Sequence, residues 1–147
     1  MPIPEKEFIF ALHDVARLFK TYADQRVSAL SMTRSQWAVL SRLERCEGTS
    51  QVELAQALDL APISLARLID KLSDQGLVER RADENDRRAY RLYLTPAVAP
   101  VLKRLAALSK DVLGVALAGV APEEVADMTG HLSHIKANLK AALSEET

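Results

Sequence analysis

The sequence predicts a mainly α-helical fold that carries one small β-hairpin, and two patterns support this. Apolar residues recur at helical spacing in three long segments, near residues 5–30, 98–113 and 125–142. Residues 90–95 instead alternate apolar and polar side chains, as a strand with one buried face does. Gly76 precedes this strand region at the end of a helical pattern, where glycine readily adopts the left-handed conformation that ends a helix.

Composition limits the class of protein. The chain has 147 residues, 48% of them hydrophobic, which is enough to bury a core, and we interpret residues 1–147 as one domain. No apolar run approaches the roughly 20 residues of a membrane span, and the charged start lacks the apolar stretch of a signal peptide. Together with a single cysteine, these features predict a cytoplasmic protein that does not contact a membrane.

The charge balance says little about a partner. The formal net charge is −1, and residues 49–95 hold seven Lys/Arg against eight Asp/Glu. DNA-binding domains are often basic, so nucleic-acid binding would depend on where the cations lie. The sequence also lacks a phosphate-binding glycine loop and a nucleophile–base set. We therefore expect neither enzymatic activity nor a cofactor.

The first half of the chain predicts a long helix followed by shorter ones. Residues 5–30 form one apolar stripe, whose members step by three and four positions: Phe8, Leu12, Val15, Phe19 and Tyr22. Thr33–Gln36 and Ser50–Glu53 each fit a capping box, in which the first and fourth residues satisfy each other's backbone amides. They predict the starts of two further helices.

Residues 62–75 form the next predicted helix. Pro62 suits its first position, and the buried stripe consists of Leu65, Leu68, Ile69 and Leu72. The outer face then carries Ile63, Ser64, Arg67 and Lys71. Two short helices joined by a brief turn, the second with hydroxyl and basic groups outside, are typical of a helix-turn-helix.

A hairpin rich in arginine follows this helix. The turn sequence Asp83–Asp86 separates two predicted strands, the first starting at Leu77, and five arginines lie on the hairpin: Arg80, Arg81, Arg87, Arg88 and Arg91. A helix-turn-helix followed by such a hairpin predicts a winged helix-turn-helix over residues 33–95, whose natural partner is double-stranded DNA. A guanidinium at the hairpin tip can enter a narrow minor groove, where the negative potential is strongest.

Four short motifs resemble the signature of the MarR family (multiple antibiotic resistance regulators). They are Asp70-Lys71-Leu72, Gly76-Leu77-Val78, Arg80 and Asp86-Arg87-Arg88, and the resemblance extends over essentially the whole chain. It implies that Arg87 is the wing-tip arginine and that Asp86 pairs with a neighbouring arginine. It also implies a repressor whose two recognition helices are re-spaced by a small aromatic or phenolic effector, bound between the dimer layer and the wing lobe.

The remaining segments predict dimerisation. Thr95–Pro96 is expected to start a long helix, and Ala121–Pro122 another. The last helix has a heptad-like seam: Val125, Met128, Leu132, Ile135, Leu139 and Ala142. Because a small wing lobe cannot cover all these stripes, we expect a homodimer formed by residues 1–32 and 96–147.

These arguments give a set of candidate site residues. The predicted DNA contacts are Ser50, Gln51, Ile63, Ser64, Arg67, Lys71, Arg80, Arg87 and Arg88. The candidate effector residues are His13, Tyr22 and Trp37. The predicted function is a sequence-specific regulator, a repressor relieved by a small molecule, that binds a pseudo-palindromic operator as a homodimer.

Two alternative functions remain open on the same fold. The near-neutral charge would suit a winged-helix module that binds protein and not DNA. A metal or redox sensor would use the pair His131 and His134, or Cys46. Two histidines without a third ligand at metal spacing are a weak signal, and a reactive thiol needs a lowered pKa. We therefore predict no metal site and a structural or incidental role for Cys46.

Overall fold

The computed structural model describes residues 4–145, and its architecture confirms the predicted fold class of helices with one antiparallel hairpin. The helices are α1 (Pro4–Val27), α2 (Arg34–Arg45), α3 (Gln51–Ala57), α4 (Pro62–Asp74), α5 (Ala99–Ala116) and α6 (Pro122–Glu145). The strands are β1 (Val78–Ala82) and β2 (Tyr90–Leu94). The chain forms two compact units, one up to Val112 and one from Leu113 on.

Both predicted capping boxes are present. The Thr33 hydroxyl accepts the Gln36 amide at 3.1 Å, and the Gln36 side chain accepts the Thr33 amide at 3.0 Å. Ser50 and Glu53 make the same reciprocal bonds at the start of α3. Each box satisfies two backbone donors that a helix start leaves free, which fixes where α2 and α3 begin.

The end of α4 is fixed by Gly76, whose φ of +75° is left-handed. The Gly76 amide donates to the Ser73 carbonyl, and the Leu77 amide donates to the Leu72 carbonyl, each at 2.9 Å. This pair of bonds is a Schellman motif. Because the Leu77 amide is used to close the helix, β1 begins at Val78, one residue later than the sequence suggested.

One hydrophobic core connects α2, α4, the hairpin and α5. Its fully buried members include Leu40 and Leu43 from α2, Leu65, Ile69 and Leu72 from α4, and Leu92 from β2. Leu105 of α5 packs into the same core. The hairpin pairs Val78 with Leu94 and Ala82 with Tyr90. The wing and the outer face of α4 are therefore carried by one packed unit.

Two predicted helix boundaries differ from the structure. Residues Ser28–Leu30 form a 3₁₀ turn after α1, and Pro96–Val98 form another before α5. Thr95 does not cap a long helix with its side chain. Its hydroxyl instead donates to the Gly76 carbonyl, and its amide donates to the Leu77 carbonyl. These bonds hold the chain against the end of α4, and the α-helix starts three residues after Pro96.

The terminal helices leave apolar side chains exposed. On α1 the predicted stripe is largely outside, with Phe8 45% and Val15 51% exposed, and the buried residues are Ala23 and Val27. On α6 no residue from 122 to 145 is buried. Leu132 is 45% exposed and Leu139 is 60% exposed. A single copy of the chain therefore leaves both stripes in contact with water.

Candidate nucleic-acid interface

The outer face of α4 carries the side chains that the sequence assigned to DNA. Ile63, Ser64, Arg67 and Lys71 are all exposed, and Ile63 is 64% exposed. Their spacing of three and four residues places them on one side of the helix. Leu65, Ile69 and Leu72 anchor the opposite side in the core. The helix therefore presents an apolar group, a hydroxyl and two cations from a fixed base.

The cations of α4 and the hairpin fall into two groups. Within residues 4–145, the side chains of four of them have no hydrogen-bond or ion-pair partner: Arg67, Lys71, Arg87 and Arg88. The other three arginines, Arg80, Arg81 and Arg91, are paired with acids. The unpaired cations lie on the outer face of α4 and in the turn of the wing, so their charge is available to an anionic partner.

Arg80 is held inside the winged lobe. Its Nη1 lies 2.7 Å from Asp70 Oδ1, its Nη2 donates to the Ala66 carbonyl at 3.1 Å, and its Nε donates to Gln51 Oε1 at 3.1 Å. The side chain is 25% exposed. Two of the predicted DNA contacts, Arg80 and Gln51, are therefore hydrogen-bonded to each other.

Arg91 connects the wing to the loop before α3. Its Nε lies 3.1 Å from Asp83 Oδ2, and its Nη1 donates to the Gly48 carbonyl at 2.8 Å. The same loop pairs with β2 through its backbone, because Gly48 and Thr49 exchange bonds of 2.8 and 3.0 Å with Leu92. The loop acts as a short third strand, which restricts how far the wing can move from α3.

Arg81 and Tyr93 form the outer side of the hairpin. The Arg81 guanidinium lies 3.9 Å from the centre of the Tyr93 ring, in a cation–π contact. It also donates to Glu79, and this hydrogen bond raises the pKa of Arg81 above its ordinary value. Tyr93 in turn packs beside Gly48, where an added Cβ would lie 3.3 Å from the phenol oxygen.

The turn of the wing is shaped by two acids that bind backbone amides. Asp83 Oδ1 accepts the Asn85 amide at 2.9 Å, and Asp86 Oδ1 accepts the Arg88 amide at 3.0 Å. The bond from Asn85, helped by the charge of Arg91, lowers the pKa of Asp83. The partner of Asp86 is a neighbouring arginine, Arg88, but the contact is with its backbone amide and not with its guanidinium. Asp83 makes an ion pair with Arg91, while Asp86 stabilises the turn through the backbone.

The remaining DNA candidate, Ser50, lies at the start of α3. Its hydroxyl oxygen accepts the Glu53 amide at 3.1 Å, so one of its lone pairs is used by the capping box. Its backbone lies opposite Arg91 in an isolated bridge. Ser50 therefore sits next to both Gln51 and the wing, with its hydroxyl hydrogen still able to donate.

The three effector candidates are not gathered in one cavity by the structure. His13 is exposed on α1, Tyr22 is half-buried, and Trp37 is half-buried against the core. A cavity of about 220 Å³ is lined by other residues: Leu30, Ser31, Met32, Gln75, Leu77, Val101 and Arg104. Sequence reasoning missed it because three distant segments build it and none of its residues is aromatic.

The structure also locates the residues of the metal or redox sensor alternative. Cys46 is exposed at the end of α2, and its amide donates to the Arg42 carbonyl. Among residues 4–145, no three His, Cys, Asp or Glu side chains are grouped so that they could hold a metal ion.

None of the helices described for that range has the length and apolarity to cross a membrane.

Taken together, a helix-turn-helix, an arginine-bearing wing and a shared core define a winged-helix protein. Comparison with known proteins identifies the family, because the MarR family model matches residues 32–90. The transcriptional regulator PA3341 is 35% identical, with 91% of this chain and 98% of that chain covered and a TM-score of 0.81. The chain belongs to the MarR family of transcription regulators, which are not enzymes.

Two further solved structures place the chain among these regulators. A MarR transcriptional regulator from Methanosarcina mazei Go1 is 28% identical, with 92% of this chain and 99% of that chain covered and a TM-score of 0.79. A mutant MarR from E. coli, solved in complex with operator DNA, is 25% identical. That comparison covers 91% of this chain and 99% of that chain, with a TM-score of 0.72.

Proposed function

We propose that the chain binds a pseudo-palindromic DNA operator as a homodimer and represses its own or neighbouring genes. The main support for this proposal is that some cations of α4 and the hairpin are paired with acids while others are left unpaired. Arg67, Lys71, Arg87 and Arg88 are left unpaired within residues 4–145, while the arginines nearer the core are neutralised. The unpaired charge is concentrated on α4 and the wing turn, although the whole chain has a net charge of −1.

In this proposal α4 enters the major groove. Arg67 and Lys71 lie one helical turn apart on its outer face and reach guanine edges or phosphates. Ser64 contacts a base or a backbone oxygen, and the exposed Ile63 packs against a thymine methyl group or a sugar. The E. coli relative that was solved with operator DNA supports duplex DNA as the partner.

The wing contributes Arg87 in the minor groove and Arg88 at a phosphate. The acids of the turn could have neutralised these arginines and made the hairpin merely solubilising. Two of the three turn acids are engaged otherwise, since Asp83 pairs with Arg91 and Asp86 accepts the backbone amide of Arg88, and the third, Glu84, is exposed. This arrangement favours DNA over a protein partner, because a row of phosphates is the surface that complements two free guanidinium groups.

The exposed stripes on the terminal helices support a homodimer. On α1 the exposed apolar residues are Phe8, Ile9, Phe10, Leu12, Val15 and Leu18, and on α6 they are Met128, Leu132, Leu139 and Leu143. Exposed apolar stripes of this kind on each helix are typical of an interface. Residues 1–32 and 96–147 are accordingly the dimerisation helices. Two lobes of residues 33–95 then read half-sites with centres about 10 bp apart.

Relief of repression by a small aromatic or phenolic effector is the regulatory part of the proposal. The cavity of about 220 Å³ includes Gln75 and Leu77, which directly follow α4, and is otherwise mostly apolar. A molecule bound there would contact the recognition helix at its base. If the molecule binds more tightly when α4 is in a position that does not fit the operator, it lowers operator affinity. The size of the effect is set by the ratio of the molecule's affinities for the two positions of α4. His13, Tyr22 and Trp37 remain the sequence-based candidates for the same role.

The test is binding of a labelled DNA fragment from upstream of the gene, measured by fluorescence anisotropy at several salt concentrations. We expect one dimer per site and a log–log slope of affinity against salt near −0.9 per phosphate neutralised. Arg87→Ala should make the slope shallower by about two units per dimer, because each subunit loses one contact. The control is Lys103→Ala, which removes an exposed cation of α5 and should leave the slope unchanged.

The alternatives give different results in the same assay. A protein-binding module would show no salt-dependent binding to any genomic fragment in a selection experiment. A metal or redox sensor would bind the operator with an affinity that changes on addition of zinc, a chelator or peroxide. Equal slopes for Arg87→Ala and Lys103→Ala would contradict the role given to the wing.

A further inference from the structure

Arg80 uses every nitrogen of its guanidinium inside the lobe. It reaches Gln51 of α3, and it reaches both Ala66 and Asp70 of α4, while it belongs itself to β1. Arginine has five N–H donors in a planar fork and no acceptor. Three of these five donors are used by neighbours at 2.7–3.1 Å, and the side chain is only 25% exposed, so the guanidinium is engaged mainly inside the lobe.

We propose that Arg80 is a positioning residue for operator recognition and not a DNA contact. It locks α3, α4 and the wing in one arrangement and orients the side chain of Gln51. This inference rests on the proposed DNA binding and differs from the sequence prediction, which grouped Arg80 with the contact residues. A lysine cannot replace the arginine here, because a single ammonium cannot span three partners in one plane.

The two partners on α4 explain the locking. The Ala66 carbonyl points along α4 toward Asp70, because a helical carbonyl faces the residue four positions on. One guanidinium therefore binds a backbone atom and a side chain of α4 at the same place. Rotation or sliding of α4 relative to β1 would break at least one of these contacts. The angle between the recognition helix and the wing is fixed in this way.

The contact with Gln51 has a chemical consequence. An amide side chain offers one acceptor oxygen and an NH2 donor group, and Arg80 can only meet the oxygen. Within residues 4–145, the Gln51 nitrogen is left without a partner. Gln51 is therefore presented as a donor. One lone pair of its oxygen is already used by Arg80, while its NH2 group is free to meet an acceptor on the DNA.

Substitution of Asp70 tests the proposal, because the two possible roles of Arg80 predict opposite changes in DNA affinity. Its side chain is 62% exposed beside the DNA-facing surface and neutralises Arg80. If Arg80 were a phosphate contact, Asp70→Asn would free its charge and tighten DNA binding, and Arg80→Lys would bind almost as wild type. If Arg80 is a positioning residue, both substitutions should weaken operator binding, because each breaks the bridge to α4.

The experiment compares operator and non-operator DNA for the wild type, Arg80→Lys, Asp70→Asn and the control Arg34→Lys. Arg34 forms an ion pair with Asp24 at 2.9 Å between α2 and α1, and among residues 4–145 its side chain has no hydrogen bond or ion pair with α3, α4 or the wing. We expect the ratio of operator to non-operator affinity to fall at least about 10-fold for the first two variants, similar to a mismatched base pair. The control should keep the wild-type ratio. Thermal melting confirms that each variant is folded at the assay temperature.

A double-mutant cycle separates positioning from general destabilisation. If Arg80 acts partly through Gln51, Arg80→Lys should cost less affinity in a Gln51→Ala background than in the wild type. Fully additive losses, a wild-type ratio for Arg80→Lys, or tighter operator binding by Asp70→Asn would each overturn the inference. Failure of the wild type to bind any DNA would instead overturn the proposed function, so the two failures are distinguishable.

Discussion

Arg91 donates from Nη1 to the carbonyl oxygen of Gly48 at 2.8 Å, across 43 positions of sequence. This bond joins the second strand of the wing to the loop before α3. Because the same guanidinium also pairs with Asp83, the turn of the wing and the start of the helix-turn-helix share one side chain. The stability of the wing therefore depends on the protonation of Asp83 and on the space around Gly48.

The lowered pKa of Asp83 predicts how the wing responds to acid. The folded-state pKa lies below the unfolded value, so the carboxylate contributes stability above the unfolded pKa, and this is lost as the pH falls through the folded one. We expect the amide resonance of Asn85 to titrate with a midpoint below the ordinary value for aspartate. Asp83→Asn should remove that titration, and Glu84→Gln, a change at an exposed acid, should not. A shift that persists in Asp83→Asn would contradict this assignment.

Gly48→Ala should destabilise the fold. The residue has a φ of +86°, and an added Cβ would lie 3.3 Å from the Tyr93 oxygen. The left-handed conformation alone costs a non-glycine residue about 1–2 kcal/mol. Gly114→Ala is the control, since its added Cβ has nothing within 4 Å and it lies within α5, where alanine should stabilise by about 0.5–1 kcal/mol. Urea unfolding measures both, and equal free energies of unfolding would contradict the prediction.

The two faces of α4 should respond differently to truncation. Ile69 is fully buried, and Ile69→Ala should lower the free energy of unfolding by about 2–5 kcal/mol. Ile63 is 64% exposed, and Ile63→Ala should change stability by less than about 0.5 kcal/mol. Operator affinity should fall for Ile63→Ala while the protein stays folded. Thermal melting and anisotropy together check this, and a large loss of stability for Ile63→Ala would contradict the placement of α4.

Charge on the α6 stripe should prevent dimerisation. Leu132 and Leu139 are seven residues apart and exposed in the single chain, so Leu132→Glu with Leu139→Glu would bury two unpaired carboxylates in the proposed interface. We expect a monomer in analytical ultracentrifugation and about half-site binding to DNA. Lys136→Glu with Lys140→Glu makes matched changes beside the stripe and should leave the dimer intact. A dimer in the first variant would exclude α6 from the interface.

Features set by neighbours in sequence were the ones that could be predicted. The capping boxes at Thr33 and Ser50 and the Schellman stop at Gly76 depend on contacts within three to five residues, and the structure confirms all of them. The start of the α-helix after Pro96 was predicted three residues too early, because Thr95 bonds to Gly76, 19 positions away.

The roles of individual arginines could not be read from the sequence. Arg80 finds its partners 10, 14 and 29 positions away, and only the fold brings Asp70, Ala66 and Gln51 to it. The sequence prediction grouped Arg80 with Arg87 and Arg88 as DNA contacts among the five arginines of the hairpin. Packing neutralises three of them and leaves Arg87 and Arg88 unpaired within the part of the chain that the structure describes.

The most direct test of the account is operator specificity after Arg67→Ala. Its affinity would be measured for the operator and for a set of single base-pair variants, beside Arg87→Ala. We predict that Arg67→Ala loses discrimination at one base pair per half-site, worth about 1–3 kcal/mol, while Arg87→Ala weakens all sequences about equally. Unchanged discrimination at every position in Arg67→Ala would contradict the claim that α4 reads the operator.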